Sequence, residues 1–166
     1  MSPDDLLRSC YVLSVGGLDS LLVTLCADRF RRIWQGSIPP PRKFGRIKLS
    51  AQGVLDYASQ AYQMEQVYRT EIQFRAYQDP ERIREYVAEV YEAPFWPAVG
   101  AKLGADASTI KSTLTNIVSR RNRIVHEGDI NPTYGGSSEF PVYPSESERA
   151  LSFIENLGPA CAKVLQ

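Results

Sequence analysis

The segment spanning residues 4–34 constrains everything else in the chain. Leu6, Cys10, Leu13, Gly17, Leu21 and Leu25 recur at helical steps, and Leu7, Tyr11, Leu18, Leu22, Cys26, Phe30 and Ile33 form a second row beside them. An apolar stripe that wide belongs to a helix with neighbours on several sides. The rest of the chain must therefore supply covering helices. Arg8, Asp19 and Asp28 interrupt the segment, so no unbroken apolar run reaches the roughly 18 residues of a bilayer span. Asp4 and Asp5 carry the wrong sign for the start of a signal peptide. Gly16-Gly17 weakens the helix, and the expected return is close backbone approach to a crossing helix.

Beyond residue 34 the punctuation is also helical. Pro39, Pro40 and Pro41 mark a loop over 35–49. A second helix is predicted from Ser50 to about Tyr77. Asp79-Pro80-Glu81 reads as an N-cap, a first-turn Pro and an acid at the positive helix end. Pro94 and Pro97 frame a short helix closed by Gly104. Residues 106–126 form another, with Ile110, Leu114, Ile117 and Val118 inward and Gly128 ending it. After a loop over 127–144, Ser145-x-x-Glu148 is a capping box for a last helix to about Leu165. No strand pattern or internal repeat occurs, so the expected fold is all-α, a bundle of five to six helices in a single domain over 1–166.

Charge excludes some functions and localises others. With 19 basic and 19 acidic residues the net charge is zero, which rules out an overall cationic coat. From Arg29 to Lys48, however, there are seven basic residues and no acid. Arg42, Lys43 and Arg46 lie in the loop part of that run and are candidates to track a phosphate backbone, as are Arg120 and Arg123 in a second basic knot. Three scattered cysteines, Cys10, Cys26 and Cys161, read as reduced thiols of a cytoplasmic protein. With no CxxC and one His, neither a metal nor a cofactor is expected.

The most informative stretch is Ser119-Arg120-Arg121-Asn122-Arg123-Ile124-Val125-His126-Glu127-Gly128-Asp129. Arg121 falls in the middle of its helix's apolar stripe, where an isolated charge is costly, so it must be paired or open onto a cleft. Asp19 is one candidate partner. Asn122 and His126 are four apart and can touch, so Asn122 can orient the imidazole. On an unbroken helix Arg121 and His126 lie about 140° apart. Either the helix unwinds before His126, or a site using both needs a second copy. In the loop beyond, Tyr134, Phe140 and Tyr143 are candidates to stack on bases.

This stretch resembles the signature of the HEPN superfamily, an Arg followed four to six residues later by His. Arg121 to His126 is the four-residue spacing, and Asn122 supplies the polar residue usual after the Arg. The motif's place at the end of a late helix, and Leu18-Asp19-Ser20 on a long first helix, are similar to the RiboL-PSP branch. The position two after the His, a Tyr in some family toxins, is Gly128 here. The resemblance implies a HEPN-like dimer and metal-independent RNA cleavage, with His126 as acid/base, Arg121 stabilising the phosphate and Asn122 positioning His126. It implies a toxin or anti-phage role, with a cognate antitoxin or fused domain as possible partner. The alternative it allows is a non-catalytic HEPN module that binds RNA or a protein partner.

Overall fold

The computed structural model describes residues 2–130 and 139–166, and within them the protein is all-α. Helix α1 spans Pro3–Trp34, α2 Ala51–Tyr57, α3 Ala61–Ile72, α4 Pro80–Val87, α5 Phe95–Leu103, α6 Ala107–Glu127 and α7 Pro144–Leu165. A single 3-10 turn, Phe44–Arg46, lies in the loop after α1. The one element of β-type pairing among the described residues is an isolated antiparallel bridge between Ile130 and Glu139.

Helix α1 is the spine, packed against α3, α6 and α7. Ser2 and Asp5 start it with a reciprocal capping box: Ser2 Oγ accepts from the Asp5 amide at 3.1 Å and Asp5 accepts from the Ser2 amide at 2.7 Å. Its buried edge runs through Val15, Leu18, Leu22, Cys26, Phe30 and Ile33. Phe30 stacks on Tyr68 of α3 at 4.3 Å between ring centroids. Only the second of the two apolar rows is well covered along the first half of the helix. In the first row Leu13 is 73% exposed, Leu6 is exposed, and Gly17 faces solvent.

Three expectations are corrected. Gly16 and Gly17 make no close approach, since a Cβ on either would meet nothing within 4 Å. The close helix contact lies one turn further along, where a Cβ at Gly158 of α7 would meet Leu21 at 3.0 Å. The predicted helix over 50–77 is broken. Helix α2 ends at Tyr57, and the indole of Trp34 donates to the carbonyl of Ala58 at 2.9 Å, satisfying one of the orphan acceptors of that end. Chain reversal there lets α2 fold back on α3, which raises the count to seven helices among the described residues. Finally, α7 starts at Pro144 with Tyr143 as N-cap, so Ser145 lies inside the helix and forms no capping box. A proline at the first position, whose missing N–H is unneeded there, starts the helix before the Ser can.

By length and composition α1 could cross a membrane, contrary to the expectation from its interrupting charges. Somewhat under half of its apolar window is buried inside the protein.

Candidate functional site

Helix α6 carries the motif. Asp106 caps its start by accepting from the amides of Ser108 at 2.9 Å and Thr109 at 3.2 Å. Ile110, Leu114, Ile117 and Val118 hold its inner face in the core. The helix stays regular through His126 to Glu127 and closes on Gly128 in the left-handed conformation, φ 60°. A Tyr at position 128 would be strained in that backbone. The unwinding that would bring Arg121 and His126 together in one chain does not occur.

Arg121 continues the inner face and is half-buried. Its Nη1 donates to Asn122 Oδ1 at 3.0 Å, while Nε is buried without a hydrogen-bond partner among the described residues. Asp19 of α1 lies close enough for Arg121 to favour its ionised form, though the two make no salt bridge. Asp19 instead accepts from the Tyr77 amide at 2.6 Å. Burial pushes the Asp19 carboxyl above its ordinary value, against the opposing pull of the Tyr77 amide, the Gln78 side chain and Arg121. The expected contact of Asn122 with His126 is not formed, and Asn122 serves Arg121 instead. Asn122 and His126 are both exposed. They share an outward side of α6 with Ser108, Ser112, Thr115 and Ser119, all exposed and small or polar.

The chain after Gly128 is tied down by residues that sequence reasoning missed. Asp129 takes φ 58°, is 1% exposed, and lies between two guanidinium groups, Arg8 Nε at 3.1 Å and Arg120 Nη1 at 2.8 Å. Its carbonyl accepts from the Phe140 amide at 2.7 Å. Arg8 also donates to the Phe140 carbonyl at 2.9 Å and meets Glu139 at 2.8 Å, and Arg120 donates to the Pro141 carbonyl at 3.0 Å. Arg120, a candidate RNA contact, is thus occupied in holding segment 139–141 onto α1 and α6. The available signals were an Arg in an apolar helix and an Asp directly after a C-capping Gly. Neither reveals its partner, because the paired residues lie 121 positions apart.

Arg123 sits over the ring of Phe140 at 4.9 Å. Beside it, α6 and α7 leave a cleft of about 580 Å³ whose walls include Asn116, Arg120, Arg123, Phe140, Tyr143 and Arg149. Tyr134 lies outside the described residues.

The basic run divides into two parts. Arg29 donates to the carbonyls of Val90 and Leu165, both at 2.8 Å, Arg31 pairs with Asp28 and Glu65, and Arg32 donates to the Gln166 carbonyl. These are packing residues. In the loop, the Arg42 amide donates to Glu92 at 2.6 Å, and the side chains of Arg42 and Arg46 are exposed and that of Lys43 half-buried. None of the three forms a salt bridge among the described residues. The structure does not bring them to the motif. Phe44 stacks on Phe30 at one end of α1, whereas Arg8 meets Asp129 at the other. The intervening helix is about 33 Å long at its 1.5 Å rise per residue.

Among the described residues no group of three or more His, Cys, Asp or Glu side chains is placed to hold a metal ion. Burial pushes the Cys26 and Cys161 thiols up to about 12, which keeps them protonated and unreactive. Compared with known protein families, with curated proteins and with solved structures, the chain matches none.

Proposed function

We propose that this protein is a HEPN-type, metal-independent endoribonuclease that works as a homodimer in a toxin or anti-phage role. The observation that carries the reading is the intact end of α6. It presents His126 outward and exposed while Arg121, one helical side away, is held by Asn122 near the half-buried carboxyl of Asp19. One chain cannot place both groups on one phosphate, but two copies meeting along their outward α6 sides bring two imidazoles together, and the hydrogen bond to Asn122 draws each Arg121 guanidinium from the inner face toward that seam. That side carries no large apolar residue among the six named above, so two helices can approach closely along it.

The chemistry follows from that inventory. One His126 removes the proton of an RNA 2′-hydroxyl, whose oxygen attacks the adjacent phosphorus. The other His126 protonates the departing 5′-oxygen. Arg121 stabilises the charge that accumulates on the phosphorane. The products are a 2′,3′-cyclic phosphate and a 5′-hydroxyl. Asn122 positions Arg121 in this structure, and its role at His126 belongs to the dimer. Arg42, Lys43 and Arg46 extend the RNA-binding surface away from the reacting end. A cognate antitoxin or a fused domain would restrain the activity.

The test is cleavage of end-labelled transfer RNA and a single-stranded RNA in EDTA. Wild type is expected to leave cyclic phosphate ends, and His126→Ala to lose about 100-fold or more, the usual contribution of a general acid–base group. Equal cleavage by both proteins would remove His126 from the mechanism.

The second reading is a non-catalytic RNA-binding module. It is favoured by the loop cations Arg42, Lys43 and Arg46, which make no salt bridge among the described residues and lie far from the motif. It predicts salt-sensitive RNA binding without cleavage by folded, dimeric protein.

A further inference from the structure

We propose that the cleft between α6, α7 and segment 139–143 is a nucleotide subsite, taking one unstacked base and its phosphate from single-stranded RNA. The inference rests on the endoribonuclease reading only for the identity of the polymer. The cleft itself carries the case for a nucleotide.

Its volume, about 580 Å³, suits a ligand of that size. Its lining includes Tyr11, Ile117 and Ala150, all buried, which offer a largely apolar seat. Tyr143 stands at the rim, 55% exposed, an aromatic face with no ring partner among the described residues. An exposed Tyr beside an apolar seat is how sequence-tolerant sites hold a base by stacking. Asn116 is exposed on the α6 wall and offers both a donor and an acceptor to a base edge.

The charge on the walls favours a phosphate. Three guanidinium groups face one carboxylate, Glu146. Arg120 is committed to Asp129 and Pro141, and Arg123 and Arg149 have no carboxylate partner among the described residues. Arg149 donates through Nε to the Ser145 carbonyl at 3.0 Å, and its terminal nitrogens make no hydrogen bond among the described residues. Arg123 is held over the ring of Phe140.

The position of the cleft links it to the reacting end of α6. Arg123 precedes His126 by three residues, so their side chains are neighbours on the helix surface. A nucleotide seated with its phosphate at Arg123 places the next phosphate of the strand beside His126. Duplex RNA cannot enter, because its bases are stacked and paired. The subsite therefore assigns the substrate class as single-stranded or looped RNA.

The experiment is a titration of the His126→Ala protein, which excludes turnover, with the four nucleoside 5′-monophosphates, the corresponding nucleosides and inorganic phosphate, followed by amide chemical shifts. Nucleotides are expected to bind more tightly than phosphate and to shift resonances of α6 and the start of α7. Tyr143→Ala and Asn116→Ala should each weaken nucleotide binding, the former roughly tenfold for a lost stack. Arg149→Gln should reduce the preference for nucleotide over nucleoside. Both Tyr143 and Arg149 are exposed, so these variants keep the fold, and Glu71→Gln, an exposed change on α3, serves as the control. Nucleotides binding no better than phosphate, or shifts mapping elsewhere, would overturn the subsite. Nucleotide binding in the cleft with no RNA cleavage by wild type keeps the subsite and removes the nuclease. Cleavage with an unchanged KM in Tyr143→Ala keeps the nuclease and removes the subsite.

Discussion

Asp129 is the residue on which the end of the motif helix depends. Its carboxylate is fully buried between Arg8 and Arg120, so replacing it takes from Arg120 its carboxylate partner among the described residues and leaves Arg8 with the more exposed Glu139. Asp129→Ala should cost about 3–5 kcal/mol, the range for breaking a buried ion pair by removing one partner. Urea denaturation measures it, and a loss under about 1 kcal/mol, the range of an exposed pair, would mean that the network is solvated. Asp129→Asn keeps a residue that tolerates positive φ and should fall between Ala and wild type. Asp19 sets a pH dependence. Its carboxyl is raised above the ordinary 3.8, so the folded state binds a proton more readily than the unfolded chain. Stability attributable to Asp19 is then greatest below 3.8 and declines as pH rises from there through the folded-state value. Asp19→Asn should flatten that decline in denaturation curves taken across mildly acidic pH. A variant that tracks wild type at every pH would show that the burial of Asp19 carries no linkage.

Helix α6 performs two tasks with two faces. The inner face, Ile110 to Val118, holds it in the core, and the outer face carries His126 with five small or polar exposed residues. Ser119 lies on the outer face about one turn before Asn122 and two turns before His126. Ser119→Arg adds a bulky cation where the two copies would meet, without touching the core. Size-exclusion chromatography with light scattering should show a folded monomer, and RNA cleavage should be lost while nucleotide binding in the cleft persists. A dimer that survives this substitution would place the interface elsewhere. For the same reason, specific cleavage activity of wild type should fall on dilution through the dissociation constant of the dimer.

At the scale of the whole molecule, the neutral total hides a division of labour among the cations. Arg29, Arg31 and Arg32 tie the end of α1 to α3, α7 and the turn after α4. Arg42, Lys43 and Arg46 remain at one end of the spine, with the motif and its cleft at the other. Replacing all three with Gln should weaken binding of a long single-stranded RNA and lower its salt slope by about 2, since each phosphate contact on a single strand contributes about 0.7. The position of the cut should stay the same, because the proposed reacting groups lie at the far end. An unchanged salt slope would show that the loop does not touch RNA.

What the sequence determined by itself was local. The caps at Asp79 and Asp106, the stop signals at Gly104 and Gly128 and the wide stripe of α1 are relations between residues a few positions apart. The all-α class and most helix ends follow from them. The Arg121–His126 spacing and its divergence on the helix were legible for the same reason. Tertiary structure decided what local spacing cannot carry. It broke the 50–77 helix, where the Trp34 indole from α1 caps Ala58. It left Gly16-Gly17 uncovered, because α7 makes its close contact at Leu21. It also turned Arg8, Arg120 and Asp129 into one buried network and opened a cleft beside the motif. In each case the deciding partner lies tens of residues or more away, and the free energy that selects it comes from burial and charge pairing, which exist only once the helices have packed.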